Sequence, residues 1–350
     1  MDITDFKPIL ADFGINGPAE VRPLGDGLIN HTFLVCVGGT PRYVLQQVNT
    51  AIFQDVETLQ SNIDKVTAAL AAAGMTTLHF HKASSTGKTY AVYEGRTWRL
   101  MDYISGTSTI TEVTPRTAYM TGRAIGEFEA VLAPLAGELG ETLPRFHDME
   151  FRLMQFEDAV RADAAGRVPA LADEIDFVRR HADFATAPER AHRDGTMPRR
   201  VCHCDTKVSN LLFNADGTEV VAVIDLDTVM PSLVFSDMGD FLRTAASTLA
   251  EDDPGLDRVA YRVDIADAAL EGYLSTATFL NEAERALLPW AAWRFAYMQA
   301  VRFLTDYING DVYYRITYPE HNLVRTRNQI RLADSIEKAL SSNTVSYTHL

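Results

Sequence analysis

Residues 201–214 read VCHCDTKVSNLLFN, a run of two cysteines, a histidine, an aspartate, a lysine and an asparagine set among apolar side chains. Such a run can be a metal knot, a redox pair or a catalytic loop. Successive side chains of a strand point to opposite faces, so Cys202, His203 and Cys204 cannot converge on one ion. No second cysteine or histidine cluster in the chain completes a tetrahedral set. The two cysteines therefore read as small buried side chains. His203, Asp205 and Asn210 have the spacing H-x-D-x-x-x-x-N. In phosphoryl transfer an aspartate at this spacing accepts the proton of the attacking hydroxyl, and the asparagine holds a magnesium ion. Lys207 lies between them, where a cation can meet the transferring phosphoryl group.

The residues that follow extend the pattern. LLF (211–213), a turn at Asn214–Gly217 and EVVAVI (219–224) predict a β-hairpin ending in Asp225-Leu226-Asp227. Closing that hairpin brings Asp225 beside the first loop, where its oxygens join those of Asp205 and Asn210 as hard ligands suited to Mg²⁺. Asp227 reads either as a hairpin-end hydrogen bond or as part of the metal and phosphate site. Asp237 and Asp240 in SDMGDFLR are expected to anchor the loop or to start the next helix as caps. His203 is expected to orient the loop from behind. VIDLDTVM also matches the opening of haloacid-dehalogenase-type phosphatases, which use an aspartyl nucleophile and a later lysine. The only lysine after it is Lys338.

Upstream, the first hundred residues read as strands. EVRPLGDGLINHTFLVCV predicts two strands about a turn at Gly25, Asp26 and Gly27, with the next turn at Gly38-Gly39 and a third strand at YVLQQV (43–48). A helix is expected over DVETLQSNIDKVTAALAAAG, with Val56, Leu59, Ile63, Val66 and Leu70 on one face and Gly74 as its stop. TTLHFHKA, KTYAVYEG and TWRLMDYI predict further strands. A boundary falls between Ser105 and Thr114, and beyond it the chain is mainly helical apart from residues 200–225. In the aromatic-rich segment 289–318, Trp293, Tyr297 and Phe303 read as core at helical spacing. Arg302, Asp306, Asp311, Tyr313 and Tyr314 are its candidates for gripping a polyol.

The 350 residues favour two lobes, and 47% hydrophobic with 23% charged residues is an ordinary globular composition. A net charge of −15 argues against nucleic-acid binding, which needs a basic footprint. No apolar window is long enough to span a membrane, and the N-terminus lacks a signal-peptide core. Three cysteines suit a reducing cytoplasm. SSNTVSYTHL at the end resembles a translated adapter and is left outside the fold.

The stretches GDGLINHTF, DVETLQSNI, HDMEFRL, VCHCDTKVSNLLF, VIDLDTVMPSLVFSDMGDFLRT, MQAVRFLTDYINGDVYY and YPEHNLVRT, from about residue 24 to 327, carry a family resemblance. Together they resemble the aminoglycoside-phosphotransferase-like kinases, relatives of the protein kinases, and among these the bacterial N-acetylhexosamine 1-kinases. The resemblance implies a two-lobed, protein-kinase-like α+β fold, with an antiparallel N-terminal sheet plus helix and a larger, mainly helical C-terminal lobe. Residues 1–105 would form the nucleotide lobe, 106–340 the catalytic and sugar-binding lobe, and 341–350 a tail. It implies Asp205 as catalytic base and Asn210 and Asp225 as Mg²⁺ ligands. Asp26, Gly27, Leu28, Ile29 and Asn30 would cover the phosphates of ATP, and Met101, Asp102, Tyr103 and Ile104 would read adenine through their backbone. The acceptor would be GlcNAc or GalNAc, phosphorylated at the anomeric hydroxyl in a pocket of the C-terminal lobe. One departure stands out. Kinases of this fold carry a basic residue on the third strand, paired with a helix glutamate, whereas this strand offers Gln46 and Gln47. Glu57 would then lack its cation, and Lys88, Arg99 or the loop amides with Mg²⁺ would hold the phosphates. A kinase for another hydroxyl (hexose, amino alcohol or aminoglycoside) shares all these motifs, and a nucleotide-binding pseudokinase is the non-enzymatic alternative.

Overall fold

The computed structural model describes residues 6–25 and 29–342, so Asp26, Gly27, Leu28 and the end of the tail lie outside the described residues. After a short helix α1 (Lys7–Asp12) come strands β1 (Ala19–Pro23), β2 (His31–Val37) and β3 (Thr40–Val48). Gly38 and Gly39 both take positive φ, 59° and 78°, which lets a tight turn fold β2 back onto β3. Helix α2 (Val56–Ala72) starts where Asp55 accepts from the Thr58 amide at 3.0 Å, and Gly74 at φ 79° follows its end. Strands β4 (Ala91–Tyr93) and β5 (Arg96–Asp102) complete an antiparallel sheet in the order β1-β2-β3-β5-β4.

Alternation along the strands gives this sheet two apolar faces. Val35, Leu45, Trp98 and Leu100 are buried with Ile9, Leu10 and Phe13 of the α1 segment. Val48 and Met101 pack with the Leu59, Ile63, Val66 and Leu70 stripe of α2. One expected strand is absent: in TTLHFHKA only Phe80 bridges to Met101. The reason is geometric. β4 already pairs with Arg96–Trp98 on that edge of β5, so residues 79–81 extend the edge with two hydrogen bonds, His81 N to Leu100 O (2.9 Å) and Asp102 N to His79 O (3.0 Å).

Beyond the linker, β6 (Thr107–Ser108) pairs with the first strand of the hairpin β8 (Leu211–Asn214) and β9 (Val220–Val223). Helices α3 (Pro115–Leu132), α4 (Met149–Ala162), α5 (Ala172–Ala185) and α6 (Ala187–Arg193) precede β7 (Arg200–Cys202), which pairs with β10 (Met230–Ser232). Then follow α7 (Phe235–Ala245), α8 (Val263–Thr276), α9 (Glu282–Leu287), α10 (Ala291–Ile308) and α11 (His321–Ser342). Helix α3 opens on a Thr114/Thr117 capping box with Pro115 in its first turn. It runs against α8 at a separation only glycine permits. A Cβ on Gly122 would lie 2.0 Å from the Ala269 carbonyl oxygen, and one on Gly272 2.0 Å from that of Tyr119. Trp293, Tyr297 and Phe303 of α10 are buried, as their spacing predicted.

A single apolar cluster crosses between the lobes, joining Val48, Phe53, Leu59, Ile63 and Met101 to Phe128, Leu132, Val201, Leu226 and Val229. Within it the amide of Asn62 on α2 donates to Gly140 O (2.7 Å) and Val229 O (3.0 Å) and accepts from Gly140 N (3.0 Å). Helix α2 is thus fastened to the C-terminal lobe. Among the described residues no helix is long and apolar enough to cross a membrane.

Candidate active site

Strand β7 delivers the chain into the loop of residues 203–210, and α7 holds that loop from below. The Asp237 carboxylate accepts from the amides of His203 and Cys204, each at 2.7 Å, and its carbonyl accepts from Thr206 Oγ1 at 2.6 Å. Asp237 does anchor the loop, but neither it nor Asp240 is a cap, because Val234 is the N-cap of α7 and both lie inside the helix. His203 is fully buried. Its Nδ1 accepts from the Asp205 amide (3.2 Å), so Nε2 carries the proton given to Ile224 O (2.8 Å). That pair of bonds ties the loop to the hairpin, and Ile224 N to Asn210 O (2.9 Å) ties it again.

On this frame Asp205 Oδ2 accepts from Lys207 Nζ (2.8 Å) and from Asn210 Nδ2 (3.0 Å). Asn210 sits in a single helical turn, Val208–Asn210, and spends its amide nitrogen on Asp205, leaving its oxygen as the atom suited to a cation. Asp225 takes a left-handed conformation, φ 62° and ψ 55°, directly after β9. Burial pushes its carboxyl above the usual range, and the charges of Asp227 and Asp205 push it further than Lys207 relieves. Burial pulls the Lys207 ammonium down, yet Asp205, Asp225 and Asp240 together hold it above its ordinary value. The site therefore carries surplus negative charge on half-buried hard oxygens, the chemistry that suits Mg²⁺.

The N-terminal lobe reaches this site through a buried cation. Arg99 on β5 stands opposite Gln46 on β3 and donates to its Oε1 from Nε (3.0 Å) and Nη2 (2.8 Å). Nη2 also meets Asp227 Oδ1 at 2.5 Å, with Arg99 2% and Asp227 3% exposed. Asp227 Oδ2 accepts from Asn30 Nδ2 at 2.6 Å, and Asn30 Oδ1 accepts from the Asn49 amide at 2.9 Å. Ile29 is exposed beside it, and Asn49 Nδ2 donates to its carbonyl at 3.3 Å. Glu57 is instead paired with Lys88 (2.5 Å) and Tyr90 (2.6 Å) at the exposed start of α2. Met101 and Asp102 end β5, and Tyr103 and Ile104 lead into the linker. The Asp102 carboxylate lies between His79 Nδ1 (2.9 Å) and His81 Nε2 (2.7 Å), and the Tyr103 amide donates to Arg42 O at 2.9 Å.

Arg302, Asp306, Tyr313 and Tyr314 come together in the wall of one cavity of about 460 Å³, with Arg152, Gln155 and Asp158. Arg302 lies over the rings of Phe146 (5.5 Å) and Tyr314 (5.6 Å). Burial, with Arg302 as a like charge, lowers Arg152 to about 10. The Tyr314 hydroxyl is buried without a partner among the described residues. Asp306 spends its carboxylate on the loop itself, accepting from the amides of Val312 (2.9 Å), Tyr313 (2.8 Å) and Tyr314 (2.9 Å) and from Asn322 (2.9 Å). Asp311 likewise pairs with Arg167 at 2.6 Å. Buried Asp240, which feels the charge of Asp205, is bonded to Arg243 (3.0 Å), which also meets Glu251 (2.8 Å). Burial raises the Asp240 carboxyl, Arg243 opposes this, and the charge of Asp205 adds to it.

One supporting residue escaped sequence reading. Glu129 on α3 is buried beside Asp237 and Cys202, and Tyr273 donates to it. Burial and the Asp237 charge hold its carboxyl well above the usual range. Its signal was an acid on the Ile125, Phe128 and Leu132 face of an amphipathic helix.

Solved structures share this fold. A microcompartment-associated aminopropanol kinase matches with a TM-score of 0.65 at 20% identity, covering 99% of this chain and 100% of that one. An aminoglycoside phosphotransferase from Alicyclobacillus acidocaldarius matches with a TM-score of 0.64 at 16% identity, covering 94% and 93%. An amicoumacin kinase, solved with AMP-PNP, Ca²⁺ and its antibiotic, gives 0.60 at 15%, covering 89% and 87%. The family model described as "Phosphotransferase enzyme family" matches residues 20–279, the span that holds the loop, the hairpin and the Arg99–Asp227 pair. The chain belongs to the phosphotransferase enzyme family.

Proposed function

We propose that the chain is a kinase that uses ATP and Mg²⁺ to phosphorylate N-acetylhexosamines at the anomeric hydroxyl, releasing ADP and the sugar 1-phosphate. Asp205 orients the hydroxyl and takes its proton as the oxygen–phosphorus bond forms and the bond from the γ-phosphorus to the ADP oxygen breaks. Lys207, already bonded to Asp205, faces the charge that spreads over the transferring group. Asn210 and Asp225 would hold Mg²⁺, which neutralises the phosphates when bound. Asn30 with the loop before it, and the segment Met101–Ile104, would embrace the nucleotide. Most of the acceleration then comes from position and preorganised charge.

The acceptor class rests on one observation, the cationic wall formed by Arg152 and Arg302. Two guanidinium groups repel the ammonium groups of amino alcohols and aminoglycosides, whereas a neutral sugar can accept from them through its hydroxyl and acetyl oxygens. Tyr314 adds a hydroxyl, and Asp306 holds the loop that carries it. The size of the cavity suits a small ligand. An ADP-release assay tests this with GlcNAc, GalNAc, glucose, galactose, 1-amino-2-propanol and kanamycin in parallel. The N-acetyl sugars should give the highest kcat/KM, and Arg302→Met should raise the sugar KM but not that of ATP. Fastest turnover with either amine would overturn the acceptor assignment.

A further inference from the structure

The third strand lacks the cation that steadies nucleotide phosphates in kinase-like enzymes, and the structure accounts for where that charge has gone. In the β3–β5 ladder Gln46 is the direct partner of Arg99, so both side chains rise from the same face of the sheet. The guanidinium thus lies at the position of Gln46 itself, one strand over from the usual origin. Gln46 steadies it with its amide oxygen, and Gln46 Nε2 is in turn held by Thr32 Oγ1 at 3.0 Å on β2. Asp227 supplies the carboxylate partner, and the same carboxylate holds Asn30, which closes the loop expected to cover the phosphates. Three elements of a nucleotide site therefore meet on one buried ion pair. The remaining guanidinium nitrogen, Nη1, is buried with no hydrogen-bond partner among the described residues. A buried charged donor left unpaired is costly, and a ligand oxygen is a partner that would complete it. Lys88 does not compete for the role, being paired with Glu57 and Tyr90 just before the edge strand β4.

We propose that Arg99 is the residue that grips the nucleotide's phosphates from the sheet side, through Nη1, with Asp227 and Gln46 as positioning residues. The assignment rests on the kinase reading and gives that reading its missing cation. The guanidinium would bind as a fork, two donors wide, where a strand lysine would act as a point charge.

Calorimetric titration of the full chain with adenosine, AMP and ADP, in EDTA so that no metal contributes, separates phosphate recognition from adenine recognition. The variants are Arg99→Met, Arg99→Lys and the double variant Arg99→Met with Gln46→Lys, which returns a cation to β3. Arg99→Met should weaken ADP binding at least about tenfold, the worth of one lost charge-assisted bond, and leave adenosine binding within about twofold. The double variant should recover much of that loss. Should Arg99→Met fail to fold, Arg99→Lys keeps the buried charge and should lose the fork's share of ADP affinity alone. Equal losses for adenosine and ADP, or unchanged ADP binding in every variant, would overturn the assignment while leaving the kinase reading in place. A wild-type chain that binds ADP neither in EDTA nor with Mg²⁺ added would instead overturn both.

Discussion

Replacing Asp237 with alanine tests how the loop of residues 203–210, the proposed catalytic loop, is held. The wild-type carboxylate is 0% exposed and is the acceptor for two backbone amides, His203 and Cys204, each at 2.7 Å. Alanine supplies no acceptor, and the buried surroundings supply little water. Each stranded amide costs about 1–3 kcal/mol, so the pair predicts a loss of about 2–6 kcal/mol. That is a large share of the roughly 5–15 kcal/mol typical of a domain. Urea unfolding followed by tryptophan fluorescence measures it. Because the same two amides set the path of the chain into Asp205, kcat should fall while ADP affinity holds. Asp237→Asn keeps one oxygen but turns an amide nitrogen toward a donor, and should recover only part of the stability. An alanine variant within about 0.5 kcal/mol of wild type, the usual range for surface changes, would refute the anchoring argument.

Two further outcomes follow from the same packing. The unfolded glutamate titrates near 4.5, whereas burial keeps folded Glu129 protonated well above that. The folded chain then binds the extra proton, so this group's stability is full below about pH 4.5 and is lost as pH rises toward its folded pKa. Glu129→Gln cannot ionise and should flatten the decline in stability between about pH 5 and pH 8, and equal slopes for the two proteins would contradict this. Gly122→Ala gains about 1 kcal/mol of helix propensity. It also forces a Cβ to within 2.0 Å of a backbone oxygen on α8. Overpacking against backbone costs about 1–3 kcal/mol or more, so the variant should melt lower, and a higher melting temperature would refute the close approach.

What the sequence disclosed and what it concealed follow from distance along the chain. That Asp205, Lys207 and Asn210 come together is legible because they sit within six residues of one loop, and that Asp225 lies near them because a hairpin returns at a fixed length. Arg99 and Asp227 are 128 residues apart, so no spacing rule connects them. Local patterns offer Arg99 and Lys88 as equals, and tertiary pairing separates them. TTLHFHKA has the alternation of a strand but lacks a free length of partner edge. Asp237 precedes a helical run, as caps do, yet the helix starts two residues earlier at Phe235 and turns its carboxylate to the loop. Asn62 and Glu129 are polar residues on buried faces, readable as anomalies but not as bonds, since their partners lie on other elements.

The account's central claim is that a phosphoryl group passes from ATP to an anomeric hydroxyl beside Asp205. ³¹P NMR of the protein with MgATP and GlcNAc or GalNAc tests it most directly, with Asp205→Asn as the paired sample. The claim predicts a new resonance split by the anomeric proton, growing as ADP appears, and its loss in the variant even though ADP still binds. A phosphate coupled to any other sugar position, no new resonance with either N-acetyl sugar, or equal turnover by Asp205→Asn would contradict it.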